Sequence, residues 1–167
     1  KSKGLERNIK KSNQKIIDIK FDCEKSFKTR KIKNFVKKSV DQTLEILENK
    51  KRKTYVSVFL TNNEEIKKIN SQYRKINKAT NVLSFPQNET RMISNLDNYL
   101  VLGDIVISLE KILSEANDQK KRFFDHLLHM IVHSALHLYG FDHSNMEESA
   151  EMEAKEKDIM KKIHYES

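Results

Sequence analysis

The chain has 167 residues and a mass of 19.7 kDa, 37% of them hydrophobic, which suits one lean globular domain with a real core. One proline and three glycines exclude a loop-rich or all-β sandwich architecture, and a lone cysteine, Cys23, excludes an internal disulfide. The net charge of +8 is uneven: residues 1–53 hold 18 Lys/Arg against 7 Asp/Glu, and residues 54–167 hold 14 against 17.

Residues 1–14 are basic and polar with little periodicity and read as a mobile lead-in. Ile17, Ile19 and Phe21 alternate with polar residues, as in a first strand. Ile32, Phe35, Val36, Val40, Leu44 and Leu47 follow the 3–4 spacing of an amphipathic helix. The β-branched and aromatic run Tyr55 to Leu60 reads as a second strand. Thr61-Asn62-Asn63-Glu64-Glu65 then opens a helix whose first-turn acids complement the dipole, with Ile66, Ile69 and Tyr73 turned inward and an end near Arg74. Val82 to Phe85 forms a short strand stopped by Pro86, and residues 87–98 a polar surface loop. Tyr99 to Ser108 is a further strand, interrupted at Gly103-Asp104, and a helix follows from Ser108 or Leu109. A long helix runs from about Lys121 to Tyr139, and Ser144-Asn145 caps a last one with Met146, Ala150, Met152, Met160 and Ile163 as its apolar positions. The expected architecture is one α+β domain with no repeat and no linker.

The long helix carries the most informative run, H-S-A-L-H-L-Y-G-F-D-H, which spaces His133, His137 and His143 as H-x3-H-x5-H. Histidines four apart on a helix point the same way, about 5–6 Å apart at Cβ, which suits two ligands on one metal. Gly140 can end the helix in a left-handed cap and bring His143 back to the same ion. Three imidazoles with a fourth position left open describe a catalytic zinc site rather than a structural one. The same spacing occurs in the H-E-x-x-H-x-x-G-x-x-H signature of zinc peptidases, where a glutamate after the first histidine is the general base. Here that position is Ser134, which cannot do that work at neutral pH. Asp142 can orient an imidazole or cap the turn, and the sequence favours neither. His129, four residues before His133, reads as a half-buried core or surface histidine, since a fourth imidazole would close the open position. His164 is expected to be inert.

The +11 balance of residues 1–53 fits a polyanionic ligand, because lysines beside phosphates release counterions. With 26 lysines against 6 arginines and abundant Asn and Ile, a biased base composition explains it equally well. No apolar run approaches a membrane span and no apolar stretch follows the first basic residues, so a cytosolic protein is expected.

Two further runs, I-N-S-Q-Y-R-K-I-N-K-A-T-N-V-L-S-F-P at 69–86 and L-G-D-I-V-I-S at 102–108, precede the histidines. In this order the three blocks closely resemble the YbeY family of bacterial endoribonucleases, over roughly residues 55–160. The resemblance implies a single metal-dependent endoribonuclease domain over 1–167, with a small mixed sheet and the metal site at the end of a long helix. It implies cleavage of single-stranded RNA, maturation of the 3′ end of 16S rRNA and ribosome quality control. One divalent ion, zinc, would be the cofactor, and the ribosome or small-subunit proteins the partners, with no DNA and no membrane. The family's metal ligands fall on His133, His137 and His143, and its catalytic arginine on Arg74. The chain departs from the family at Asn77, Ala79 and Asn81, where Asp-x-Pro-Thr-Asp is frequent, at Ser134 for a common glycine, and at Phe141 for a tyrosine. Two other readings stand beside this one: a zinc peptidase or amidase, and a non-catalytic ribosome-assembly factor with a structural metal.

Overall fold

In the computed structural model, which describes residues 15–94 and 97–163, four strands form one mixed sheet and five helices pack on it. The expected lead-in of residues 1–14 and His164 lie outside the described residues. The elements run β1 (Lys15–Phe21), α1 (Thr29–Leu47), β2 (Thr54–Thr61), α2 (Asn63–Arg74), β3 (Val82–Ser94), β4 (Asp97–Ser108), α3 (Leu109–Asp118), α4 (Phe123–Leu138) and α5 (Met146–Lys162). The sheet order is β1-β2-β4-β3, parallel except for the antiparallel β3–β4 pair. No described helix is long and apolar enough to cross a membrane.

Period-2 alternation divides the sheet's side chains between two cores. Val56, Val58 and Leu60 of β2 and Ile105 and Ile107 of β4 join Val36, Val40 and Leu44 of α1 and Leu127, Ile131 and Leu136 of α4 in the main core. The intervening Phe59 and Val106 turn to the opposite face, where they meet Ile66 of α2 with Leu83 and Phe85 of β3. Helix α4 therefore lies against one face of the sheet while α2 covers part of the other. Gly103 leaves room for both β3 and α4: a Cβ there would sit 2.2 Å from the Phe85 carbonyl oxygen and 2.9 Å from Leu138 Cδ2, and its φ of +148° suits only glycine.

Helix starts follow their caps. The side chains of Asn62, Ser108 and Asn145 accept from the backbone N–H of Glu65, Lys111 and Glu148 respectively, so α2, α3 and α5 begin where orphan donors find a partner. Tyr139, just past α4, donates to Glu48 at 2.8 Å, and Arg52 pairs with the same carboxylate, so the ends of α1 and α4 are tied together.

Four local expectations are corrected. Pro86 does not stop β3, because β3 is an edge strand: Pro86 pairs opposite Gly103 at a register shift that skips to Glu89, with Asn88 at φ 54°. An edge bulge is where a missing N–H costs least, so the polar stretch expected as a loop extends the β3–β4 hairpin instead. Gly103-Asp104 likewise lies inside a continuous β4, which bulges at Leu102 just before it rather than ending, with Ser57 Oγ donating to the Asp104 carboxylate from the neighbouring strand. Tyr73, expected inward, is 65% exposed, and Met146 and Ala150 are exposed too, since α5 docks through Met152, Ile159 and Ile163.

Candidate metal centre

The end of α4 is shaped by a Schellman motif. Phe141 N–H donates to the Leu136 carbonyl at 3.1 Å and Gly140 N–H to that of His137 at 3.0 Å, with Gly140 at φ +93°. The turn brings His143 over the last turn of the helix. One nitrogen from each of His133, His137 and His143 lies within 4.8 Å of the others, a grouping able to hold a metal ion. His133 Nε2 and His137 Nε2 are 3.2 Å apart. Two donors each 2.0–2.1 Å from one tetrahedral zinc would stand roughly 3.3 Å apart, so this spacing fits the ion. The cluster sits at the C-terminal end of α4, where the helix dipole favours a cation.

Protons are arranged to suit the same use. His133 Nδ1 lies 2.6 Å from Glu156 Oε2, and His129 Nε2 lies 2.9 Å from Glu156 Oε1. Glu156 is only 6% exposed. Burial pushes its carboxyl up, but hydrogen bonds and charge from His129 and His133 outweigh that and hold its pKa at about 2. An ionised Glu156 accepts the hydrogen bond of His133 Nδ1–H, which directs the ring's Nε2 toward His137. The His137 pKa is lowered, first by burial and then by the neighbouring His133 and His143, which keeps that ring neutral, and it also hydrogen-bonds the Phe141 backbone. Bare imidazole nitrogens facing one another repel, and a shared cation turns the repulsion into attraction. Cys23 offers no competing thiolate, because burial pushes its pKa up to about 12.

Arg74 reaches the same place from the end of α2. With His133, His137 and His143 it lines a cavity of about 540 Å³, alongside Asn81, Ser84, Pro86 and Asp142. Arg74 Nη2 donates to the Ser84 carbonyl at 2.9 Å, and the guanidinium lies 5.6 Å from the centre of the Phe85 ring. Asp142 is exposed, and its oxygens accept from the His143 backbone N–H and the Ser144 hydroxyl at 2.7 and 2.6 Å. Those bonds make Asp142 a cap of the turn. Ser134 is fully buried with its hydroxyl donated to the Met130 carbonyl at 2.6 Å, so nothing stands where the peptidase signature has its base. Asn81 donates to Glu115 at 3.0 Å, and the same Oε1 is 2.9 Å from His126 Nε2. An aspartate at 81 would set two carboxylates against each other here, which accounts for this departure in physical terms.

Glu156 is the residue the sequence reading missed. Five acids crowd the first eleven residues of α5, and nothing local marks one of them as inward. The available signal was period: Glu156 lies four residues after Met152 and three before Ile159, on the buried stripe. Replacing it by glutamine keeps the shape and one acceptor but loses the charge, so metal affinity should fall about 10–100-fold. Titration with zinc under competition from a chelator measures this. An unchanged affinity would reduce Glu156 to a packing role.

A mixed sheet that presents an open three-imidazole cluster beside an arginine defines an α+β protein with a site suited to a divalent cation. The chain belongs to the YbeY family: the family model described as Endoribonuclease YbeY matches residues 18–164. It is similar to Endoribonuclease YbeY of Bartonella bacilliformis, 47% identical over 108 residues (65% of this chain, 67% of the relative). The Bartonella quintana protein of that name is 35% identical over 147 residues, 88% of this chain and 92% of the relative. Among solved structures, the solution structure of TM1509 from Thermotoga maritima is similar, with a TM-score of 0.59, 26% identity and 87% coverage of both chains.

Proposed function

We propose that this chain is a metal-dependent endoribonuclease that cuts single-stranded RNA and works in 16S rRNA 3′-end maturation and ribosome quality control, in the cytoplasm. The observation that carries the reading is the meeting of three imidazole donors and one guanidinium on an open cavity in a member of an endoribonuclease family. His133, His137 and His143 would hold zinc, which when bound supplies Lewis acidity, polarising a phosphoryl oxygen and bringing the pKa of water toward neutrality. Attack on a phosphodiester gathers negative charge on the non-bridging oxygens. Arg74 meets that charge with the N–H donors it does not spend on Ser84, and the Phe85 ring beneath holds the fork in place. Glu156 keeps the proton of His133 on Nδ1, so that ring neither turns nor changes tautomer during the reaction.

Incubating the zinc-loaded protein with an unstructured RNA and, separately, with a denatured protein tests the reading. Internal cuts in the RNA alone are expected, and proteolysis without RNA cleavage would overturn it. The ends produced report the nucleophile: a 5′-phosphate means water, a 2′,3′-cyclic phosphate the RNA's own hydroxyl.

Binding to single-stranded RNA should weaken steeply with salt, given the +11 balance of residues 1–53. Deleting residues 1–14, with 5 Lys/Arg against 1 Asp/Glu, should flatten the slope of log affinity against log salt. An identical slope would mean that this segment touches no phosphate.

A further inference from the structure

The last turn of α2 holds an aromatic surface that the cleavage chemistry does not use. Tyr73 is 65% exposed and does not line the cavity itself, but it is next in sequence to Arg74, which does. Its ring meets Phe85 edge-on, with centroids 5.7 Å apart at 63°, and Phe85 is also the ring under the Arg74 guanidinium. One half-buried phenyl ring thus supports both an outward aromatic and the arginine. Ile76, 51% exposed, and the exposed Pro86 extend the apolar surface. The segment itself is basic: residues 66–88 contain Lys67, Lys68, Arg74, Lys75 and Lys78 and no Asp or Glu.

The backbone beneath is held firmly. Lys75 ends the helix at φ 61°, and the buried Asn70 takes the Ile76 N–H on its carbonyl at 3.3 Å while its side-chain amide donates to the Lys78 carbonyl at 2.9 Å. Exposing a tyrosine and an isoleucine three residues apart on a firmly held, cationic segment leaves apolar area in water with no return inside the fold. A flat aromatic ring between lysines suits one ligand chemistry well: an unpaired nucleobase flanked by its phosphates. A paired base is already stacked within its helix and presents no free face.

We propose that Tyr73 is a stacking platform for one nucleobase of a single-stranded RNA, fixing the adjoining phosphate at Arg74. This rests on the endoribonuclease reading and adds to it where a base is held and why the strand must be unpaired. Tyr73 is a positioning residue, and because every base has a π-face the subsite tolerates any sequence.

The test uses the intact zinc-loaded protein and short single-stranded RNAs carrying the fluorescent base 2-aminopurine at each position in turn. One position should be strongly quenched on binding. Tyr73→Ala should abolish that quenching and raise KM about tenfold with kcat within about twofold, and Tyr73→Trp should keep both near the parent. An RNA abasic at the quenched position should cost the parent the same factor and cost Tyr73→Ala nothing more. Parental KM and quenching in Tyr73→Ala would overturn the proposal. So would losses that multiply on the abasic substrate, or a fall in kcat alone, which would mean that the change had displaced Arg74. The two readings fail separately. Quenching that depends on Tyr73 in a protein that cuts no RNA sinks the nuclease, whereas cleavage with quenching indifferent to Tyr73 sinks the platform.

Discussion

Replacing His143 with alanine is expected to strip most of the metal from a protein that otherwise carries about one ion per chain, and to take RNA cleavage to background. His143 is exposed and its backbone is held by Asp142 and the Gly140 turn, so the substitution should leave the fold intact. What it removes is the donor that comes from outside the helix. His133 and His137 alone form a two-point chelate, in which the remaining positions fall to solvent and affinity drops by orders of magnitude. Metal content after dialysis, cleavage of unstructured RNA and melting temperature should be measured on one preparation. Full metal content in the variant would dismiss the three-ligand site. The half-buried His137 separates the remaining alternative: if His137→Ala lowers the melting temperature but cleaves as the parent does, the ion stabilises a non-catalytic assembly factor.

Arg74→Ala should reduce kcat on the order of a hundredfold, as loss of a donor aimed at developing charge commonly does. In the proposed mechanism its guanidinium meets charge that appears only as the phosphodiester is attacked, so RNA affinity should fall far less than turnover. Metal content should stay at the parental level, since an arginine is not a ligand. The melting temperature should move little, because the bond to the Ser84 carbonyl and the contact with Phe85 lie at an exposed residue. Arg74→Lys should restore only part of the rate, because a point charge does not reproduce a planar fork. Normal cleavage by Arg74→Ala would end the catalytic assignment, and loss of metal or unfolding would make the residue structural.

Where sequence reasoning succeeded and failed follows from the range of the forces involved. The helix starts read within Thr61–Glu65 and at Ser144-Asn145, and the helical spacing from Ile32 to Leu44, are settled within a few residues, and the structure has its caps at Asn62 and Asn145 inside those bounds. Pro86 shows the opposite case. Read locally a proline ends a strand, but its cost depends on whether a neighbour needs its N–H, and only the strand order makes β3 an edge. Tyr73 fits the apolar period of α2, yet it falls in the last turn of the helix, where it meets the Phe85 ring only edge-on and is left in solvent. Its identity with period-matched core residues is what misleads.

The candidate ligands were legible for the same reason as the caps. The i, i+4 pair of His133 and His137 and the left-handed turn at Gly140 are short-range consequences of helix geometry, so the spacing alone implies that three imidazoles converge. Arg74 could be named only through family resemblance, because no local rule brings the end of α2 to the end of α4. Glu156 carried only the signal of its helical period, which does not say what it meets. It lies 23 residues from His133, and it turns toward the imidazole because Met152, Ile159 and Ile163 dock α5 against α4 with that stripe inward. Burying a carboxylate costs energy unless partners are waiting, and whether partners wait depends on the packing of two helices. Tertiary structure alone decided which of the acids of α5 meets the histidines.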